Sequence, residues 1–146
     1  MGTIGNKIVG GISGDGLAEH VREAYSFIAN NYDDGDELFL VGFSRGAYTA
    51  RAVAGLVDSI GVLTKAGLAS FPIIYKDFAH RHDRRYRTPL PNVPFPNKPN
   101  ARNPDYAREL ARRRLTSLGV RVKAIGVFDT VGTIHIATTC GFTLTG

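Results

Sequence analysis

One serine stands between two glycines in the run Leu38–Leu56, LFLVGFSRGAYTARAVAGL. A serine hydroxyl is a weak nucleophile at neutral pH, and it attacks a carbonyl only when it is projected on a sharp turn and a base takes its proton. The spacing G-x-S-x-G, here Gly42, Ser44 and Gly46, suits such a turn because the glycines let strand and helix approach closely. The next amide, that of Arg45, then points along the helix start and can donate to an oxyanion. The same letters have a plainer reading, a glycine-rich turn whose serine caps the helix. Context favours the chemistry: Leu38–Gly42 is apolar and bounded by DDGDE, as a strand buried on both faces of a parallel sheet would be.

The second candidate group is Asp129. The stretch VRVKAIGVFDTVG begins with period-two alternation, becomes continuously apolar and stops at this acid. An acid just past the carboxyl end of a buried strand lies where open α/β sheets place their sites, so Asp129 is read as the orienting acid of a triad. The alternative is a turn aspartate bonded to the amides of Val131 or Gly132. Four histidines are available as base: His20, His80, His82 and His135. Only His135 follows Asp129 in the hydrolase order Ser, Asp, His, and it does so after six residues, which suits one short strand end poorly. His20 falls on the polar side of a helical pattern, and His80 and His82 belong to the charged stretch HRHDRR, read as solvated.

Other elements must position these groups. The glycine-crowded opening MGTIGNKIVGGISGDG reads as loop and forms no phosphate-cradle motif. Leu17, Val21, Tyr25 and Ile28 then recur at helical spacing, predicting an amphipathic helix to about Asn30 with Asp15 as N-cap. Ala47 to about Ser59 reads as a helix whose small residues let it lie close to a sheet. A further helix is expected from about Lys65 to His82, with Pro72 near its first turns. The six prolines of RTPLPNVPFPNKPNARNP predict an extended polyproline-like insertion, and DYARELARRRLTSLG a short basic helix ending at Gly119.

With 146 residues, 43% hydrophobic and 21% charged, the chain has the size and composition of one globular domain. The single cysteine, Cys140, excludes an internal disulfide and leans toward a reducing, cytoplasmic setting. No stretch has the roughly 20 apolar residues of a membrane span, and the N-terminus lacks a secretion pattern. Position 6 is Asn6 where a myristoylation signal needs serine or threonine. Charge is uneven: residues 80–123 hold 12 of the 18 basic side chains and only 3 of the 13 acidic ones.

Taken together, GDELFLVGFSRGAYTARAVAGLV, IGVFDTVG and the upstream AYSFIANNY resemble the α/β-hydrolase-like domain family of unknown function that includes the type VI secretion phospholipase effectors. The resemblance covers most of residues 10–80 and again 120–133. It implies an incomplete α/β-hydrolase-like parallel sheet flanked by helices, with 83–118 as a basic, proline-rich insertion and 134–146 as an atypical tail. It implies ester hydrolysis on lipid or another carboxylic ester, with Ser44 as nucleophile and Asp129 as acid. The family's base is a histidine well beyond the aspartate, and its first strand lies upstream of what is present. The chain is therefore expected to be a truncated member lacking the catalytic histidine and doubtful as a catalyst alone.

Two other classes remain open. A non-catalytic module could bind anionic partners, nucleic acid or a membrane surface, through RHDRRYR and ARELARRRL, although no nucleic-acid motif accompanies them. In the hydrolase reading the same segment would attract anionic lipid headgroups. PNVP and PNKP satisfy P-x-x-P as ligands of an aromatic groove. No cofactor and no metal site are expected, because the lone cysteine and scattered histidines lack ligand spacing.

Overall fold

The computed structural model describes residues 14–128. The helical spacing near the start produces helix α1, Gly14–Asn31, which runs through the expected cap Asp15. It buries Val21, Tyr25 and Ala29 along one stripe and leaves Arg22, Glu23 and Asn30 in solvent. Tyr25 shows how its phenol can be buried at low cost: the hydroxyl donates to the Gly61 carbonyl at 2.8 Å and accepts from the Leu63 amide at 3.1 Å, while the ring stacks on Phe71. Burial pushes the Tyr25 phenol well above its ordinary value.

Strand β1, Leu38–Phe43, pairs in parallel with the last described strand, and Gly42 lies opposite Val127 and Phe43 opposite Phe128 in that register. Helix α2, Arg45–Ile60, packs Ala47, Ala50, Val53, Ala54 and Val57 inward. It ends at Gly61, where φ is 74° and a Cβ would stand 2.2 Å from the Ser117 carbonyl oxygen, so both the angle and the space require glycine. Strand β2, Val62–Leu63, follows at once and pairs antiparallel with β3, Thr116–Ser117, a second small sheet that the sequence did not announce. The Thr116 hydroxyl locks it by donating to the Ile60 carbonyl at 2.5 Å.

The helix expected from Lys65 to His82 is two helices. Helix α3, Lys65–Leu68, is capped by Thr64, whose hydroxyl accepts from the Gly67 amide, and helix α4, Phe71–Ala79, restarts with Pro72 in its first turn. Proline lacks the N–H that a continuous helix would send back to Leu68, so the break falls just before it. Residues 83–104 also differ from expectation, being a turn-rich loop and not an extended polyproline segment. Its anchor is Asp77 of α4, a nearly fully buried carboxylate that takes Lys98 Nζ at 2.5 Å and the Tyr86 hydroxyl at 2.9 Å. Lys98 also donates to Thr88 and to the Val93 carbonyl, and Phe95 is buried against Tyr106. A buried ion pair satisfied on both sides fixes a loop that proline alone would leave extended.

Helix α5, Asp105–Arg112, buries Tyr106 and Leu110 and stops seven residues short of Gly119, because the chain reverses at Arg114, φ 57°, to enter β3. Strand β4, Val122–Phe128, completes the parallel pair with β1. The result is an α/β arrangement, a small parallel sheet flanked by helices, whose core joins α1, α2, α4, α5 and β2. Strand β1 is not buried on both faces: among the described residues Leu38, Leu40 and Gly42 face α2, whereas Phe39, Val41 and Phe43 are exposed together with Phe128 of β4. No helix among the described residues is long and apolar enough to cross a membrane.

Candidate active site at the end of strand β1

Ser44 is the single residue between β1 and α2. Its backbone has φ 51° and ψ −117°, a sparsely populated conformation for a side chain with a Cβ, costing on the order of 1–3 kcal/mol. The hydroxyl makes no capping hydrogen bond to α2. A serine serving only as a cap would adopt extended angles and bond an amide of the first turn, and Ser44 does neither.

The turn is as tight as the glycine spacing suggests, and Gly42 makes it so. A Cβ on Gly42 would stand 2.1 Å from the Gly46 carbonyl oxygen and 2.6 Å from the Ala47 nitrogen, both immovable backbone. Around Gly46 no described atom lies within 4 Å of such a Cβ, so close approach of strand and helix rests on the first glycine. Two bonds fix the Ser44 peptide: its amide donates to the Phe128 carbonyl at the end of β4 at 2.9 Å, and its carbonyl accepts from Ala47 at 3.0 Å. Arg45, the first residue of α2, holds its amide at the positive end of that helix.

Beside this turn α1, β1 and α2 enclose a cleft of about 740 Å³. Its walls include Leu17 and Phe27 of α1, Phe39 and Val41 of β1, and Arg45 and Gly46 of α2. His20 and Thr49 add polar groups to it. The histidines read as solvated are partly so. His20 is exposed and 3.4 Å from Glu23 Oε2. His80 donates from Nδ1 to the Lys76 carbonyl at 2.9 Å and stacks on Tyr86. His82 lies in the basic loop. None of these three hydrogen-bonds Ser44. Asp129 and His135 lie outside the described residues.

Sequence reasoning missed the Asp77–Lys98 pair, since neither residue lies at a spacing that signals the other. It saw the charge of RHDRRYR but not that the loop gathers Arg81, Arg84, Arg87 and Arg102 around one cleft.

With this geometry in place, comparison with known proteins assigns the class. The sequence model described as "T6SS, Phospholipase effector Tle1-like, catalytic domain" matches residues 1–144, and the chain belongs to that family. The matched span runs through the basic proline-rich segment. A Saccharomyces cerevisiae protein, "Uncharacterized protein YEL023C", is 41% identical over 49 residues, which are 34% of this chain and 7% of that protein. The aligned part is thus a small fraction of that relative's length. No solved structure matches.

Proposed function

We propose that the chain is an α/β-hydrolase-type serine hydrolase domain acting on the carboxylic ester of a phospholipid. The observation that carries this reading is the backbone of Ser44, held at φ 51° between a strand and a helix by a glycine that admits no Cβ, with its hydroxyl unspent on capping. That is the geometry a nucleophile elbow requires. Membership of a phospholipase effector family supports a lipid substrate, and the largely apolar cleft beside Arg45 and Gly46 is of a size to take an acyl chain.

The chemistry follows from these groups. A base takes the proton of Ser44 Oγ as the oxygen attacks the ester carbonyl, and the Arg45 amide donates to the oxyanion that forms. The alcohol leaves with the proton from the base, and water then hydrolyses the acyl-serine. The acid in this reading is Asp129. Its support is register: the Phe128 carbonyl that accepts from the Ser44 amide is covalently bonded to the Asp129 nitrogen. The base is His135 or a histidine supplied from outside this chain, because no described histidine bonds Ser44.

Release of fatty acid from phosphatidylcholine vesicles, with Ser44→Ala, Asp129→Asn and His135→Ala beside the unaltered chain, tests the reading. Loss of release by at least about 10³-fold in Ser44→Ala is expected. Release that persists in Ser44→Ala refutes it.

A further inference from the structure

The basic loop is a second feature that hydrolysis at Ser44 does not use. Between α4 and α5 the turns of residues 80–103 bring Arg81, Arg84, Arg87 and Arg102 to one cleft of about 370 Å³, with His82 and Tyr86 beside them. This cleft shares no lining residue with the one bordered by Arg45 and Gly46.

Among the described residues, three of its arginines lack the carboxylate partners that the neighbouring helix supplies to its own. On α5, Arg108 pairs with Asp105, and Arg112 and Arg113 both pair with Glu109. Among the described residues Arg84, Arg87 and Arg102 have no carboxylate partner, and Arg87 is turned onto the carbonyls of Arg84 and Tyr86. One carboxylate lines the cleft, Asp83, and its Oδ1 already accepts the Arg85 amide at 2.8 Å. The His82 imidazole is held below its ordinary value first by partial desolvation and then by the guanidinium groups of Arg81 and Arg102.

The floor is rigid. Tyr86 is fixed by its bond to the buried Asp77 and by stacking on His80. Asn100 and Asn103 spend their side-chain oxygens on the Arg102 and Asp105 amides, which leaves their amino groups as donors. Four guanidinium groups and two asparagine amino groups on this loop, set against the single carboxylate of Asp83, leave a net positive, donor-rich cleft of the kind that suits a compact polyoxygen anion.

We propose that this cleft binds one phosphate group, carried by a lipid headgroup or by a soluble phosphate ester. The arginines line one cleft of about 370 Å³, room for a phosphate with the first atoms of its ester, whereas contacts to a nucleic-acid strand follow successive phosphates. The proposal rests on the loop alone and stands or falls separately from catalysis at Ser44.

Calorimetric titration of the full chain with inorganic phosphate and with glycerol phosphate, and co-sedimentation with phosphatidylcholine vesicles with or without phosphatidic acid, test it. The variant Arg84→Gln/Arg102→Gln alters two exposed side chains, and Arg108→Gln/Arg112→Gln removes equal charge from α5. Binding should weaken about tenfold or more in the first and less than about twofold in the second. In the unaltered protein the His82 ring resonances should shift on adding phosphate.

Binding of soluble phosphate without vesicle association would assign a soluble ester. Association that depends on phosphatidic acid and is lost in the cleft variant would assign a headgroup. Equal weakening in both variants, or no binding of any probe, would overturn the proposal.

Discussion

Ser44 and Gly42 divide the cost of the turn between them, and their substitutions should separate strain from the proposed chemistry. Ser44→Gly relieves a positive φ that glycine adopts freely, so it should raise stability by about 1 kcal/mol in denaturant titration while removing the hydroxyl. Gly42→Ala drives a methyl into the backbone of Gly46 and Ala47 and should cost about 3 kcal/mol or more. Gly46→Ala meets nothing beyond its own helix among the described residues, in a helical position, and should leave the melting temperature unchanged or slightly higher. A Ser44→Gly variant less stable than the parent would mean that the turn holds no strain. The motif letters were legible in the sequence, but they treat the two glycines alike; the asymmetry exists only once α2 sits over β1.

At the scale of elements, the buried Asp77–Lys98 pair holds the 83–104 loop against α4 and α5. Removing either partner strands a buried charge, so Asp77→Ala or Lys98→Met should destabilise by about 3–5 kcal/mol, measured by thermal unfolding. Burial and then the Asp77 bond push the Tyr86 phenol up to about 12 from an ordinary value near 10. A raised folded value means that the folded state keeps its proton longer. This contribution is therefore complete below about pH 10 and lost as pH rises to about 12, and Tyr86→Phe should blunt that loss in an alkaline unfolding series. Burial raises Tyr25 and Tyr106 in the same direction.

Legibility followed the range of the interactions. Helices α1 and α2 and strands β1 and β4 were readable because their apolar spacing is local. The break before α4 was half readable, since Pro72 flagged it but Lys65–His82 kept helical composition. The β2–β3 sheet and the folded loop were not, because Val62 meets Ser117, and Asp77 meets Lys98, through contacts that no local pattern encodes.

For the whole molecule, the basic charge and the proposed chemistry lie in different places. Twelve of 18 basic residues fall in 80–123, whereas the turn at Ser44 is bounded by apolar strand and alanine-rich helix. Attraction to an anionic surface is screened within about 10 Å at 0.1 M salt, and attack on a neutral ester is not. Raising ionic strength should therefore release the chain from phosphatidic acid vesicles and leave hydrolysis of a short soluble p-nitrophenyl ester nearly constant. A parallel fall of both would tie catalysis to the basic segment.

The most direct measurement is labelling of the folded chain with a fluorophosphonate, followed by mass spectrometry of the peptide that carries the adduct. One adduct is expected, on Ser44, absent in Ser44→Ala and unaffected by Arg84→Gln/Arg102→Gln. An adduct on another residue, or none in a chain shown by circular dichroism to be folded, would contradict an activated serine at the end of β1.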